Sequence, residues 1–445
     1  MDASRAEISP HLYRVHALTR VLLMGSGDLA KEVCQALEAG GASVSWLEHP
    51  DDDAVCAAVS GGGFDVACVP SRQDAFPLRM ALLVRHLDAE LPLVVTIFDP
   101  SITEQVENTI PHCTVTSVAD IVAPTLAGPC LHPDIVALRC SGSEWVGLDE
   151  RLNEVPLPDT RARKVRSLVE AVFAPYDRSS GLLFYGAIGL VAMLIFEWVG
   201  SMIVLDQAAA DALYGSTKSL ATVGPNPAVD DGPKWFKVAI VASMLLTLLS
   251  AACFTGGLIN RLVDSSLTGL IGRRAVPRRD HVVVVGLGQV GLRLCLLLRE
   301  CGVPVVAVDT EAEGENVGFA KRAKLPVVIG RGANPAILRR LTLERARALA
   351  AVTPDDLNNI EAAMAARAAD SDLRVVLRAG DGEVADETRS LEQIGHVLDV
   401  HRLGAVFIAG LALGKAPEAV AIRDDRPHLL VANDQWEEYP LDIAR

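Results

Sequence analysis

The stretch that decides the fold is HVVVVGLGQVG, residues His281–Gly291. Four consecutive valines predict a buried strand, and glycines at the spacing GxGxxG follow it directly. In such a turn the first glycine permits a tight bend, the second lets a phosphate approach the backbone, and the third lets the next helix pack closely on the strand. A second strand, PVVAVD, then ends in an acid. We therefore expect a doubly wound α/β lobe whose candidate nucleotide contacts are Gly286, Gly288, Gln289, Val290, Gly291 and Asp309.

The same pattern occurs near the start of the chain, where the strand RVLLM leads into GSGDLA. In both copies 23 residues separate the first glycine from the acid, Gly25 from Glu48 and Gly286 from Asp309. Strand, glycines, helix, strand and acid at one spacing, twice, indicate two Rossmann-like lobes. After Glu48 the first copy reaches its next strand, FDVACVP, early, so one strand–helix unit is shortened there. Its weaker candidate contacts are Gly25, Gly27, Ala30 and Glu48, and a lobe that binds nothing is the alternative for either copy.

Two apolar runs lie between the lobes. Residues 181–205 carry one charge, Glu197, and residues 238–259 carry none. Each run reaches the roughly 20 apolar residues that a helix needs to cross a bilayer. The alternative is a pair of buried core helices. Arginine and lysine are concentrated in residues 160–180 and 260–280, whereas the connector 206–235 is acidic, so the positive-inside rule places both termini in the cytoplasm and the connector outside.

Charge and cysteine usage limit the partners of the chain. The formal net charge of −15 argues against a nucleic-acid partner. The nine cysteines form no CxxC pair, which is typical of reduced cytoplasmic thiols. No HxxxE or Cys/His cluster predicts a tight metal site; Asp355 and Asp356 could bind Ca²⁺ weakly, with helix capping as the alternative.

The lobes resemble the regulator-of-potassium-conductance (RCK, TrkA-N type) domains. The resemblance covers residues 281–413 through GLGQVG, Asp309, IGRGANPAILRRL, AVTPDDLNNIEAAMAAR and VVLRAGD, and residues 20–140 more weakly. It implies NAD(H) or another adenine nucleotide as a regulatory ligand. One position departs from the family, since Arg331 stands where an acid is usual, and this changes the charge near the ligand.

Residues 180–260 are similar to the two-transmembrane potassium-channel plan of helix, pore helix, filter and helix. Ala208 to Ala221 reads as the pore helix, and LATVGPNPA, residues 220–228, contains its end. The resemblance implies a filter at Thr222, Val223, Gly224, Pro225 and Asn226, with K⁺ as permeant ion and a homotetramer in the lipid bilayer. Pro225 and Asn226 replace the usual Tyr and Gly; we expect Asn226 to use its tolerance of left-handed backbone, and potassium selectivity to be weakened.

Three further positions carry hypotheses about the pore. Glu197 and Lys218 are expected to pair behind the filter, the alternative being a Lys218 that reaches the outer surface. Gly256 and Gly257 weaken the second apolar helix and are candidates for a gate hinge, with close helix packing as the alternative.

The sequence thus predicts a cation channel in the cell membrane, gated by a nucleotide or a cation that binds the cytoplasmic lobes, and no enzyme. Its expected parts are an N-terminal lobe (1–160), a basic linker (161–180), a pore module (181–260), a second linker (261–280) and a C-terminal lobe (281–445). The alternatives are a non-selective or calcium-permeable channel, a membrane-anchored NAD(P)-dependent oxidoreductase, a non-conducting sensor of another transporter, and a helical hairpin that conducts nothing.

Overall fold

The computed structural model describes residues 18–142, 144–157, 178–221, 224, 226–263, 279–380, 394–424, 426–432 and 434–441. The chain divides into two compact units. The first combines residues 1–165 with residues 277–445, and the second comprises residues 166–276. The linkers predicted at 161–180 and 261–280 fall almost wholly outside the described residues.

The N-terminal lobe is built on a five-stranded parallel sheet with the order β2-β1-β3-β4-β5. Its three central strands are almost wholly buried, as expected of a parallel sheet between helices. In chain order its elements are β1 Arg20–Met24, α1 Asp28–Ala39, β2 Ser43–Leu47, α2 Asp52–Gly61, β3 Val66–Val69, α3 Ala75–Leu87, β4 Leu93–Thr96, α4 Pro100–Thr109 and β5 Cys113–Thr116.

The C-terminal lobe has a six-stranded parallel sheet with the order β11-β10-β9-β12-β13-β14. Its elements are β9 Val282–Val285, α9 Gln289–Glu300, β10 Val305–Asp309, α10 Glu315–Arg322, β11 Val327–Ile329, α11 Pro335–Arg340, β12 Ala348–Ala351, α12 Asp356–Ala369, β13 Arg374–Ala379 and β14 His396–Asp399. The edge strand β11 and the helix α11 have no counterpart between β2 and β3, which confirms the shortened first copy.

Each sheet is followed by a helix and a small antiparallel sheet. These are α5 Val118–Leu131 with β6 Ala137–Ser141, β7 Glu144–Leu148 and β8 Glu154–Val155, then α13 Val400–Ala412 with β15 Ala419–Arg423, β16 Arg426–Val431 and β17 Gln435–Glu438.

The two lobes exchange these helices. Helix α5 packs against α9 of the C-terminal lobe, and α13 packs against α1 of the N-terminal lobe. Thr125 Oγ1 donates to the carbonyl of Val420 over 3.1 Å, and the Tyr439 hydroxyl donates to the carbonyl of Ala36 over 2.7 Å. One apolar core runs through both lobes. The lobes therefore form one compact unit although residues 166–276 separate them in sequence.

The second unit is helical. Its elements are α6 Arg178–Val204, α7 Ala209–Leu220, a 3-10 turn Pro227–Asp231 and α8 Lys234–Val263. Residues Leu182–Val204 and Lys234–Ile259 are long and apolar enough to cross a membrane, and only 11% and 17% of their most apolar windows are buried. Helices α6 and α8 cross closely, because a Cβ on Gly186 would lie 2.6 Å from the Phe254 nitrogen.

Candidate functional sites in the C-terminal lobe and beside the short helix

A pocket of about 380 Å³ opens at the carboxyl ends of β9, β10 and β12. This is the edge at which doubly wound sheets bind ligands. Its floor is the loop between β9 and α9, where Gly286 has φ +94° and lies under Thr353 so closely that a Cβ would be 2.8 Å from the Thr353 nitrogen. Only glycine combines this backbone with this approach.

Asp309 sits in the pocket and is held by the backbone. One carboxylate oxygen accepts from the Leu287 N–H over 2.6 Å and the other accepts from the Glu311 N–H over 2.9 Å. Each oxygen keeps lone pairs for another donor. The carboxylate is therefore fixed at the end of β10, with lone pairs left to accept hydrogen bonds from hydroxyl groups.

The predicted contacts divide into two groups. Gly286, Gly288, Asp309 and Arg331 line the pocket, whereas Gln289, Val290 and Gly291 do not. The Gln289 side chain donates to the Arg72 carbonyl over 3.3 Å, Val290 is buried, and Gly291 packs beneath the loop. Other residues that line the pocket were not among the predicted contacts. They are Val285 and Leu287 at the end of β9 and residues of three later segments, among them Glu311, Asn316, Thr353, Asn358 and Glu361.

Arg331 follows β11 and points its charge at an acid of α12. Its Nη2 lies 3.2 Å from Glu361 Oε2, and both side chains are more than half exposed. Arg331 is the one basic residue among those that line the pocket, beside five acids. Glu361 thus partly neutralises the positive charge of Arg331, which stands where an acid is usual.

Asp355 and Asp356 have structural partners. Asp355 is the N-cap of α12 and accepts from the Asn358 N–H over 3.1 Å, while the buried Asp356 accepts from the Gly380 N–H over 3.1 Å. The capping role therefore describes Asp355. Among the described residues no group of three His, Cys, Asp or Glu side chains is placed to hold a metal ion.

The equivalent loop of the N-terminal lobe, between β1 and α1, is contacted by a tryptophan side chain. The Trp46 indole donates to the Gly25 carbonyl over 2.9 Å, at the position where the C-terminal lobe has Ala307. Gly27 is the N-cap of α1, Ala30 is buried and Glu48 is exposed. The triple acid run begins a helix, because Asp51 accepts from the Ala54 N–H and Asp52 pairs with Arg79.

In the helical unit, the buried Glu197 joins three helices. Its Oε1 accepts from Ser219 Oγ of α7 over 3.0 Å and from Ser243 Oγ of α8. Two hydroxyl donors satisfy the acid where it would otherwise be costly to bury. The neighbouring Trp198 donates its indole N–H to the carbonyl of Ala209 at the start of α7 over 3.0 Å. Both ends of the short helix are thus tied to α6.

The expected pair of Glu197 with Lys218 is wrong. The Lys218 ammonium lies over the Tyr214 ring, 5.7 Å from its centroid, on another side of α7. Adjacent helical residues point about 100° apart, so Ser219 rather than Lys218 faces the carboxylate.

The expected left-handed backbone of Asn226 is also wrong. Asn226 has φ −61° and ψ 124°, an extended backbone, and its Oδ1 accepts from the Ala228 N–H to cap the 3-10 turn. The positive φ belongs to Gly224, at +144°. The Asn226 side chain is buried, donates to Gln207 Oε1 over 2.6 Å and packs on Gly215 of α7. Thr222, Val223 and Pro225 lie outside the described residues.

The candidate hinge glycines lie inside α8, which is helical through both of them. A Cβ on Gly256 would meet nothing within 4 Å, whereas Gly257 is buried. The close approach of α6 to α8 rests instead on Gly186 and Gly189, opposite Ser250 and Phe254. Gly256 is therefore not a packing glycine within one chain.

Comparison with known proteins adds the family. Residues 282–398 match the model of the TrkA-N domain. The C-terminal lobe thus contains a TrkA-N domain. Its TrkA-N domain contains the pocket, the GLGQVG loop and Asp309. The RCK resemblance is confirmed there.

Over a wider part of its length the chain is similar to potassium-channel proteins. It is 19% identical over 210 residues to potassium channel protein 1 of Methanocaldococcus jannaschii, covering 45% of this chain and 62% of the relative. It is 23% identical over 212 residues to the voltage-gated potassium channel Kch of Escherichia coli, covering 45% of this chain and 48% of the relative. Each match thus spans less than two thirds of the relative's own length.

Solved structures of one channel are also similar to the chain. The GsuK channel bound to NAD is 17% identical, with a TM-score of 0.48, covering 90% of this chain and 64% of that one. The GsuK RCK domain is 15% identical, with a TM-score of 0.47, covering 91% of this chain and 80% of that one.

Proposed function

We propose that four copies of this chain form a ligand-gated cation channel of the potassium type. The observation that carries the proposal is the short helix α7, which is held between two exposed apolar helices and ends two residues before Thr222 in the sequence. The relation to potassium-channel proteins supports it. In this arrangement Thr222, Val223 and Gly224 supply carbonyl oxygens to K⁺, and α7 directs its negative C-terminal end toward the ion path.

The outer part of the filter is remodelled by Pro225 and Asn226. Pro225 has no N–H and brings no aromatic ring, so the usual aromatic cuff is missing from that position. The buried Asn226 takes over a bracing role from a different direction, through Gln207 and Gly215. We infer a potassium preference that is weaker than that of a TVGYG filter, and permeation of Na⁺ or Ca²⁺ is the alternative outcome.

The TrkA-N domain holds the regulatory ligand, NAD(H) or another adenine nucleotide. Asp309 accepts hydrogen bonds from the ribose hydroxyls, and the N-terminus of α9 faces the phosphates. Because five acids and one arginine line the pocket, a dinucleotide of low net charge suits it better than a free triphosphate. Binding favours one arrangement of the lobes, and the linker passes that preference to α8 as a population shift.

The helical unit lies in the cell membrane with both flanking lobes in the cytoplasm. Its support is the length and exposure of the two apolar helices and the basic residues that flank them. The lipid bilayer, a nucleotide and three further copies of this chain are the partners that this function needs.

The deciding experiment records currents from the purified full chain in planar bilayers with unequal K⁺, Na⁺ and Ca²⁺. NAD⁺, NADH and ADP are added to the cytoplasmic side. We expect a reversal potential displaced toward that of K⁺ and an open probability that changes with nucleotide. Absence of current under every ligand contradicts the channel, and turnover of the nicotinamide ring would favour the oxidoreductase.

A further inference from the structure

The interface between the two lobes carries two ion pairs at equivalent positions. Arg402 Nε lies 3.4 Å from Glu32 Oε2, joining α13 to α1. Arg293 Nη2 donates to Asp120 Oδ2 over 2.8 Å, joining α9 to α5. Glu32 and Arg293 are both the fifth residue of the helix after the glycine loop, and Asp120 and Arg402 are both the third residue of the exchanged helix.

The charges at these equivalent positions are reversed between the lobes. The N-terminal lobe presents two acids to the interface, Glu32 and Asp120, and the C-terminal lobe presents two arginines, Arg293 and Arg402. Pairing two N-terminal lobes in this geometry would oppose Glu32 with Asp120. Pairing two C-terminal lobes would oppose Arg293 with Arg402. Both like-with-like pairings therefore place equal charges in contact.

The position of the pairs makes the charges effective. The side chains of Arg402 and Glu32 are 13% and 17% exposed, and those of Arg293 and Asp120 are 32% and 44% exposed. The Arg402–Glu32 pair is largely removed from water, so salt screens it less than it screens the more exposed Arg293–Asp120 pair. Specific interfaces commonly exclude a wrong partner through such opposed like charges.

We propose that this face makes an N-terminal lobe accept only a C-terminal lobe as its partner. Shared fold and shared helix positions would otherwise allow lobes of different copies to pair like with like wherever chains gather. The four charges remove that choice, so that acidic and basic lobes alternate in any assembly of this chain. The inference concerns lobe pairing and holds whether or not the chain conducts ions.

Two full-length variants separate pairing strength from pairing choice. The half exchange, Glu32→Arg with Arg402→Glu, keeps an opposite-charge contact at both pairs of the native interface, yet makes each lobe complementary to itself. The full exchange adds Asp120→Arg and Arg293→Glu, which keeps both contacts and again leaves one lobe acidic and one basic. Only the half exchange permits like-with-like pairing.

The readout is cross-linking of a mixture of isotopically light and heavy chains through the exposed Lys31, which is next to Glu32 on α1. We expect the light–heavy Lys31–Lys31 product to rise at least threefold in the half exchange and to stay at the wild-type level in the full exchange. Equal yields from the two variants would overturn the proposal.

Thermal unfolding of the same variants shows whether each of them folds. Each single substitution, Glu32→Arg or Arg402→Glu, should lower the unfolding midpoint, and the half exchange should recover at least half of the loss. A half exchange that melts below both single variants also contradicts the proposal, because the two charges would then not be acting on each other.

Discussion

At the scale of single residues, two side chains that are unusual for their positions in the sequence hold the short helix α7 in place. Asn226 stands where a glycine is usual, and the structure uses its side chain rather than its backbone. Glu197 is an acid inside an apolar helix, and two serine hydroxyls satisfy it. In both cases a buried hydrogen bond fixes the position of one element relative to another more specifically than apolar packing alone would.

Replacing Asn226 tests the brace directly. Asn226→Ala removes the bond to Gln207 and leaves a gap beside Gly215, so we expect a several-fold fall in the K⁺ to Na⁺ permeability ratio. The lost hydrogen bond is worth about 1 kcal/mol, small enough for the variant to assemble. Reversal potentials measure the ratio, and Asp230→Asn, at an exposed residue nearby, is the matched control. An unchanged ratio would mean that Asn226 does not shape the filter.

Two glycines of the GLGQVG motif, one before α9 and one in its first turn, give a matched pair of variants for the nucleotide site. A Cβ on Gly291 would lie 1.9 Å from the Gly286 carbonyl oxygen, so Gly291→Ala should lower both stability and nucleotide affinity. A Cβ on Gly288 would meet nothing within 4 Å, and its φ of −68° suits alanine. Gly288→Ala should therefore keep the melting temperature while weakening nucleotide binding at least tenfold. Calorimetric titration with NAD⁺ and with ADP measures the affinity, and undiminished binding would place the phosphates elsewhere.

At the scale of elements, most of both lobes could be predicted because a parallel sheet depends on local patterns. Apolar strands, glycine turns and acids at a fixed spacing identify β1, β2, β9 and β10 without knowledge of the rest of the chain. The exchange of α5 and α13 could not be predicted, because either helix would cover its own lobe equally well by composition. The Arg331–Glu361 pair was hidden for the same reason, since 30 residues separate its partners.

The face of α7 that contacts Glu197 could not be predicted from the sequence either. Glu197 was expected to contact α7, and it does, but one residue along the helix changed the partner from Lys218 to Ser219. Helical phase depends on how α7 rolls against α6 and α8, and α7 is a short amphipathic helix whose packing neighbours decide that angle. The helix itself was predicted within one residue at each end.

Two buried histidines give the lobes a calculable response to acid. Burial lowers the pKa of His281 to about 4. Burial and the guanidiniums of Arg72 and Arg378 lower the pKa of His401 to about 4, although the Gly380 carbonyl and Asp28 oppose the shift. Arg72 donates to His401 Nε2 over 2.6 Å, and the other ring nitrogen donates to the Gly380 carbonyl, so the ring is neutral.

The folded lobes should therefore lose stability as the pH falls from about 6.5 to 4. In that window the unfolded chain takes up protons at these histidines and the folded chain does not, which favours unfolding. A shift of this size is worth on the order of 3 kcal/mol for each histidine at pH 4. Chemical denaturation at several pH values measures the slope, and His401→Gln should reduce it. An identical slope in the variant would contradict the neutral buried ring.

At the scale of the whole molecule, the two units differ in whether their apolar side chains are buried or exposed. The described residues of the two lobes build large buried apolar clusters, whereas α6 and α8 expose many of their apolar side chains. Exposed side chains of this kind on both long helices include Ile188, Phe196, Val238 and Leu249. Lipid is the surrounding in which such a surface is stable.

The proposed orientation can be checked with thiol labelling in intact cells. Asp231→Cys, in the exposed turn between the two apolar helices, should react with a membrane-impermeant maleimide added outside. The exposed native Cys140 of the N-terminal lobe should react only after the cells are permeabilised. Labelling of both thiols, or of neither, before permeabilisation would contradict a membrane-crossing hairpin with its lobes inside.

The exchanged helices also impose an order of events on biosynthesis. Helix α5 is made early, but its packing partner α9 is translated about 170 residues later, after both apolar helices. At ordinary ribosome speeds that delay is roughly 10–30 seconds. Throughout it the apolar face of α5 is without its cover, at the same time as α6 and α8 are being delivered to the bilayer. We therefore expect the N-terminal lobe to expose this apolar face to the cytoplasm until α9 has left the ribosome.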